Sequence, residues 1–162
     1  MGQDLRSLGL GQGDIAKLKK AYSEAPLWAF SADHGKEIFQ RTCTVCHSLN
    51  GVGGKIGPDL GGSWRNGVDY FLENIIDPNA VVGEDYQLHV ITKTDGSVIS
   101  GLLEKESDTS IVLRSLAGST PVAKSEIKSH DKQAVSMMPP GLLESMPEKD
   151  ALELLKFLTS KN

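Results

Sequence analysis

The chemistry of this chain is concentrated in one run of five residues, Cys43-Thr44-Val45-Cys46-His47. A Cys-x-x-Cys-His run is the attachment signature of c-type haem. The two thiols of such a run add to the two vinyl groups of the porphyrin, and the adjacent histidine binds the iron as an axial ligand. The sequence contains 2 cysteines, so this motif accounts for both. We therefore predict one haem c, bound covalently through Cys43 and Cys46, with His47 as a metal ligand.

Other uses of a Cys-x-x-Cys pair fit the sequence less well. A structural zinc site needs four nitrogen or sulfur ligands at short spacing, and the remaining histidines, His34, His89 and His130, are scattered singly. A thioredoxin-like redox pair follows a strand of a βαβ unit, whereas Cys43 follows a predicted helix. A structural disulfide across four residues is rarely needed. Zinc binding and dithiol chemistry stay as the alternatives to haem.

Composition limits the size and the class of the protein. The 162 residues have a net charge of −4 and are 39% hydrophobic, which suits one compact domain, or a small domain with an insertion, large enough to enclose a porphyrin. The mild acidity argues against a nucleic-acid partner. No apolar run is long enough to span a bilayer, and residues 1–20 lack the pattern of a secretory signal.

Residues 1–30 are predicted to be an N-terminal extension or linker that carries one short helix. Asp14 is the predicted cap, Ile15, Leu18 and Tyr22 share one helical face, and Pro26 ends the helix. An apolar patch follows, consisting of Leu27, Trp28 and Phe30. We expect this patch to clasp the main domain, with a docking site for a neighbouring domain as the alternative.

Three further helices are predicted around the haem motif. The first covers Ser31 to Gln40, is capped by Ser31 or Asp33, and runs directly into the motif. The second covers Val68 to Ile76 and is stopped by Asp77-Pro78. The third covers Glu148 to Leu158, just after Pro147.

From Tyr86 to about Ser129 the periodicity changes from helical to alternating. Thr94-Asp95-Gly96-Ser97 and Ala117-Gly118-Ser119 supply turns between short strands. Four or five such strands cannot be stable as a flat isolated sheet, so we predict a small curled sheet or barrel.

The helical and alternating segments together predict the fold class. We expect a mainly α domain over residues 31–162, interrupted by a small antiparallel β module at about 84–130, which makes the chain α+β overall.

The second axial ligand is predicted in the loop Ser136-Met137-Met138-Pro139-Pro140-Gly141. A Met thioether is a soft ligand that raises the reduction potential, and Met/His ligation is usual in electron-transfer haems. Met138 is the predicted metal ligand because Pro139 rigidifies the loop beside it. Met137 is the alternative, and His130, on the approach to the loop, is the rival ligand of another type.

Other residues are predicted to lie around the cofactor. The Pro58 carbonyl can accept a hydrogen bond from the free ring N–H of His47, which would fix the orientation of the ring. Trp64 or Arg65 can hydrogen-bond a haem propionate, and Arg65 is the natural charge partner; an arginine that is simply exposed to solvent is the alternative.

These motifs together resemble a known family. The chain looks like a class I cytochrome c in Gly35-x-x-x-Phe39, Cys43-x-x-Cys46-His47, Gly57-Pro58-Asp59-Leu60, Met138-Pro139 and the Leu-rich final helix. A more specific resemblance, to the haem-binding domain found in Planctomycetes and Verrucomicrobia, is carried by Asn74 to Ala80, Thr94-Asp95-Gly96 with Gly101, and Ser136 to Leu142.

The resemblance covers about Ser31 to Leu158. It implies Met138 as the distal ligand and Pro58 as the partner of His47. It also implies a periplasmic or otherwise exported protein, with a signal peptide removed or replaced, and often a place in a longer chain with propeller-type dehydrogenase modules. The partner would then be a redox protein, including a dehydrogenase domain of the same parent chain.

Three functions are compatible with this sequence. The favoured one is a monohaem electron carrier, or the electron-accepting domain of a larger dehydrogenase, in which both axial positions are occupied. The second is a gas or redox sensor in which Met138 is displaceable. The third is a peroxidase-like enzyme, which needs a distal acid or base over the iron, for which His130 or Glu126 would be the candidate.

Overall fold

A computed structural model describes residues 12–162 of the chain. The described residues fall into two compact units, the first made of residues 12–80 and 138–162 and the second of Val81–Met137. The first unit contains the long helices and the second contains a five-stranded antiparallel sheet. The architecture is therefore mixed α+β.

The described part of the first unit contains four α-helices: α1 (Gln12–Ser23), α2 (Ala32–Thr42), α3 (Gly67–Ile76) and α4 (Glu148–Leu158). The predicted bounds of α4 are confirmed, and α2 and α3 begin and end within two residues of the prediction. The prediction for α1 was wrong at its start, because Asp14 lies in the first turn of the helix instead of at its cap.

Helices α2 and α4 pack closely where Gly35 faces Glu153. A Cβ atom on Gly35 would lie 1.9 Å from the carbonyl oxygen of Glu153, so only glycine allows this approach of the two backbones. One turn later, the rings of Phe39 and Phe157 lie 5.3 Å apart between centroids. Since α2 leads directly into Cys43, this crossing determines where the motif begins.

The core of the first unit is formed by apolar side chains from all four helices. Its buried members include Ile15, Tyr22, Ile38, Phe39, Phe71, Leu72, Ile75, Ile76, Leu152, Leu155 and Phe157. Leu27 and Phe30 pack against this core, but Trp28 is 83% exposed. The predicted clasp is therefore formed by Leu27 and Phe30 without Trp28.

Two short strands, β1 (Ser48–Leu49) and β2 (Val52–Gly53), form an antiparallel hairpin directly after the haem motif. The turn between them is Asn50-Gly51, with φ of 52° and 83°. Asn-Gly is the usual pair for a two-residue hairpin turn, because both positions need positive φ.

The sheet of the second unit contains β3 (Leu88–Lys93), β4 (Val98–Glu106), β5 (Ser110–Ser115), β6 (Gly118–Ala123) and β7 (Ile127–Gln133). The strand order is β6-β5-β4-β3-β7, so β6 and β7 are the two edges. Its core consists of Ile91, Ile111, Leu113 and Val122. The prediction of four or five short strands and of the turn at residues 94–97 is confirmed. The second turn lies at Leu116-Ala117 because Gly118 and Ser119 already belong to β6, and β7 extends four residues beyond the predicted end.

Within residues 12–162, no helix has the length and apolar character needed to cross a membrane.

Candidate functional site

The haem motif is a continuation of α2. Cys43 is the C-terminal cap of the helix, and its N–H donates to the Phe39 carbonyl at 2.8 Å. The N–H groups of Cys46 and His47 then both donate to the Cys43 carbonyl, at 3.1 and 2.9 Å. The backbone of the motif is thus one further hydrogen-bonded turn, which holds both cysteines and the histidine in a fixed relation.

The two cysteines are free thiols and both are half-buried. Burial raises the pKa of Cys43 to about 12, with the neighbouring Cys46 as a smaller cause, and burial also raises the pKa of Cys46. Thiols used in redox exchange have lowered pKa values instead. This difference argues against a thioredoxin-like dithiol.

A zinc site at the cysteines is also disfavoured. Among residues 12–162, neither Cys43 nor Cys46 belongs to a group of three or more side chains placed to hold a metal ion. A structural zinc ion needs four ligands.

The imidazole of His47 is held by the backbone of Pro58. Nδ1 of His47 lies 2.9 Å from the Pro58 carbonyl oxygen. A carbonyl can only accept, so this contact requires the proton on Nδ1 and leaves the lone pair of Nε2 for a metal ion. The contact is the one that the sequence predicts between these two residues.

Gly57 fixes the plane of the same ring. A Cβ atom at Gly57 would lie 2.4 Å from Cε1, 2.6 Å from Nδ1 and 2.9 Å from Nε2 of His47. The Gly57 N–H also donates to the Cys46 carbonyl at 2.7 Å, which ties this backbone to the motif. The ring therefore lies against bare backbone that a side chain would fill. This contact was not foreseen from the sequence.

Asp59 organises the loop that carries Pro58. Its carboxylate accepts hydrogen bonds from the Ser48 hydroxyl at 2.7 Å, from the Gly51 N–H at 2.6 Å and from the Gly61 N–H at 2.7 Å. These donors, led by the Ser48 hydroxyl, lower the pKa of Asp59 to about 2. The carboxylate therefore joins the hairpin after the motif to the loop that holds the His47 ring. Sequence reasoning noted Asp59 as part of a run but missed this role.

Trp64 and Arg65 lie in a short 3-10 helix, Ser63–Asn66. Trp64 is half-buried and Arg65 is exposed. The Arg65 guanidinium carbon lies 4.8 Å from the centre of the Trp64 ring, within range of a cation–π contact. No carboxylate in the described part of the chain lies within ion-pair distance of Arg65. Its charge is therefore available to an acidic group of a cofactor.

Met138 belongs to the same unit as the motif, whereas Met137 belongs to the other unit. Met138 is half-buried and packs against the core of the first unit. The rival ligand His130 lies on β7 of the second unit, where its Nε2 is 2.8 Å from Nδ1 of His89. Of the three candidate distal ligands, Met138 is the one that packs against the core of the unit containing His47.

The chemical character of the side chains near the haem motif suits a porphyrin. Several apolar residues pack on the core of the first unit but stay partly exposed, including Cys43, Leu49, Leu60, Val68, Met138 and Leu142. These residues come from the motif, from the loop after it, from α3 and from the Met138 loop. A flat apolar cofactor needs such surface together with an imidazole, two thiols and a cation for its carboxylates.

Residues 32–94 match the protein-family model described as Cytochrome c. The matched residues contain α2, the haem motif, Pro58, Trp64, Arg65 and α3, and they end just after β3. The match supports a class I cytochrome c domain that binds haem c and transfers electrons to a redox partner. No curated protein matches this chain.

Proposed function

We propose that the chain is a monohaem c-type cytochrome in which His47 and Met138 are the two axial ligands. Cys43 and Cys46 would hold the cofactor through thioether bonds. When bound, a haem c supplies reversible one-electron chemistry at its iron. With both axial positions taken by protein side chains, no position is left for a substrate, so the function is electron transfer.

The main support for this proposal is the packing of the His47 ring against the backbone of Gly57 and Pro58. The Pro58 carbonyl fixes the tautomer and the Gly57 backbone fixes the plane, so Nε2 is presented in one orientation. Ligand orientation of this kind tunes the basicity of the imidazole and keeps its geometry constant. An electron carrier needs such constancy, because a ligand that does not move on reduction adds little to the barrier for electron transfer.

The remaining site residues have supporting roles in this proposal. Met138 supplies a thioether that favours the reduced state of the iron and so raises the potential. Trp64 and Arg65 bind the propionates, Trp64 through its indole N–H and Arg65 through its guanidinium. Asp59 keeps the loop around Pro58 closed onto the motif.

The proposal also includes the setting of the domain. We interpret Val81–Met137 as the β module predicted at about residues 84–130, inserted between α3 and α4 of a cytochrome domain covering 31–162. The resemblance to the Planctomycetes and Verrucomicrobia domain suggests an exported or periplasmic protein. Its partner would be a redox protein, including a dehydrogenase module of the same parent chain.

The test is the visible absorption spectrum of the protein matured with haem c, in the oxidised and reduced states and with carbon monoxide. A weak far-red band from sulfur-to-iron ligation in the oxidised state, and no response to carbon monoxide, would support the carrier. Ready carbon monoxide binding would contradict it and favour the sensor with a displaceable ligand. Mass spectrometry after denaturation reports separately whether the cofactor is covalent.

A further inference from the structure

The second unit contains a pair of histidines that the proposed function does not use. His89 lies on β3 and is 6% exposed, whereas His130 lies on the edge strand β7 and is exposed. The strand register pairs His89 with Lys132 and Ile91 with His130. His89 and Ile91 are two residues apart on β3 and so lie on one face of the sheet. Residues paired across an antiparallel ladder also share a face, so His130, opposite Ile91, is a diagonal neighbour of His89 on that face.

The two rings present ring nitrogens to each other. Nδ1 of His89 lies 2.8 Å from Nε2 of His130, and the ring centroids are 5.0 Å apart with the planes at 39°. One of these nitrogens carries the shared proton in the metal-free protein. Two imidazole nitrogens this close can bind one ion between them, since imidazole is the commonest metal ligand in proteins. Among residues 12–162 the pair has no third histidine, cysteine or carboxylate placed to complete the group, so water would fill the remaining positions on the ion.

The nitrogen separation is close to that of two neighbouring ligands on one metal ion. An ion placed about 2.0–2.1 Å from each nitrogen, the usual metal–imidazole bond length, would see the two nitrogens, 2.8 Å apart, at an angle of about 85–90°. This is the angle between neighbouring ligands in square-planar and octahedral sites, which Cu²⁺ and Ni²⁺ prefer. Any ion would need both rings to turn from their hydrogen-bonded position so that the two lone pairs point at it, and a tetrahedral zinc ion would also need the rings to move apart.

The charged groups around the two histidines affect their ability to bind a metal ion. The pKa of His89 is lowered mainly by burial, then by His130 and Lys132, so its lone pair is available at neutral pH. Glu106, at the end of β4, interacts electrostatically with both histidines, but its carboxylate also forms an ion pair with Lys124 at 2.7 Å. Glu106 therefore adds negative potential near the pair and Lys132, opposite His89 in the strand register, adds positive potential, so the two imidazoles are the groups that bind the ion.

We propose that His89 and His130 form a binding site for one divalent transition-metal ion, with Cu²⁺ as the tightest ligand in the usual affinity order. The site is built within the second unit and does not depend on the haem. On binding, the proton between the rings moves to the remote nitrogen of its own ring, so two neutral imidazoles bind the ion without net proton release. No change of oxidation state is involved.

The experiment is a titration of the oxidised haem-loaded protein with Cu²⁺, followed by calorimetry and by electron paramagnetic resonance at a temperature that broadens out the ferric haem signal. We expect a site with hyperfine coupling to two nitrogens. His130→Gln should weaken its affinity by more than about tenfold, the loss that even indirect contacts to a metal cause. His89→Gln should do the same.

His34→Gln is the matched control. His34 lies in the first unit with Asp150 and Glu153, and these three side chains are a separate group that could also hold a metal ion. We expect this variant to keep the two-nitrogen signal. The inference would be overturned by a two-nitrogen signal that survives His130→Gln or disappears in His34→Gln, or by the absence of such a signal in the unsubstituted protein. If the buried His89→Gln variant does not fold, the exposed His130→Gln variant decides alone.

Discussion

The backbone of Gly57 lies against the imidazole of His47, with the position of a Cβ atom only 2.4 Å from Cε1 of the ring. The next residue, Pro58, accepts the hydrogen bond from Nδ1 of the same ring. Two consecutive backbone groups thus determine both the plane and the tautomer of the proposed proximal ligand. The proposed electron-carrier function depends on that constraint.

Substitution of Gly57 by alanine should disturb the ring directly. The added methyl group overlaps Cε1 and Nδ1 of His47, so the ring must rotate or the loop must move, at a cost of about 1–3 kcal/mol, which is typical of overpacking. We expect a lower yield of covalently attached haem and an altered absorption spectrum. Both can be measured on the purified variant.

Gly83→Ala is a suitable control for Gly57→Ala. Gly83 has an ordinary φ of −57° and its nearest neighbour to an added Cβ lies 3.9 Å away. This variant should have the haem content and spectrum of the parent protein. Equal haem content and identical spectra for the Gly57 and Gly83 variants would show that the ring is not constrained as described.

Asp59→Asn should change the response of the protein to acid. The pKa of Asp59 in the folded protein is lowered to about 2 from its ordinary value of 3.8. The folded state therefore binds fewer protons than the unfolded state between these values, and the stability from this carboxylate is complete above about pH 4 and lost as pH falls towards 2. Urea unfolding at a series of pH values measures how the free energy of unfolding depends on pH.

We expect the free energy of unfolding of the Asp59→Asn variant to be lower than that of the parent at neutral pH. The difference in unfolding free energy between the two proteins should shrink as the pH falls from about 4 to 2. Protonation of Asp59 in the parent then removes the same stabilising carboxylate charge that the substitution removes in the variant. A difference that is independent of pH across this range would refute the role given to the carboxylate.

Gly35→Ala tests the crossing that positions the motif. The added Cβ atom would overlap the Glu153 backbone, which cannot move without separating α2 from α4. We expect a marked loss of thermal stability and incomplete haem attachment. Gly13→Ala on α1 is the control, since nothing lies within 4 Å of its added Cβ, and alanine is favoured over glycine in a helix by about 1 kcal/mol. The crossing would be shown to be unimportant if both variants unfolded at the same temperature.

Arg65→Gln tests the charge near the proposed cofactor. A cation close to the iron stabilises the reduced state, so its removal should lower the reduction potential. The shift should be small and should decrease as salt is added, because Arg65 is exposed and exposed charges are screened. Potentiometry at low and high ionic strength measures both effects. An unchanged potential at low salt would remove Arg65 from the site.

The parts of the fold that were predicted correctly have strong local signals. Helix α4 follows from a proline at its start and a regular leucine pattern, and α2 from the Ser31 cap, whose hydroxyl accepts from the His34 N–H at 3.2 Å. The strands of the second unit follow from alternation and from turn residues such as Gly96. In each case the residues that determine the element lie within it or directly beside it in the sequence.

The features that were missed depend on contacts between separate segments. The β1–β2 hairpin has only two residues in each strand, too few to show alternation, although Asn50-Gly51 was a usable turn signal. The role of Asp59 comes from donors up to 11 positions away along the chain. The pairing of His89 with His130 needs the register of β3 against β7, which no pattern within either strand contains.

The ligation by His47 and Met138 is tested by comparing Met138→Leu with Met137→Leu in the haem-loaded protein. Leucine keeps the side-chain volume but removes the thioether. If His47 and Met138 are the axial ligands, Met138→Leu will lose the far-red band, bind carbon monoxide when reduced and have a lower reduction potential, while Met137→Leu will match the parent. A far-red band that persists in Met138→Leu, or that is lost only in Met137→Leu, would contradict the proposed ligation.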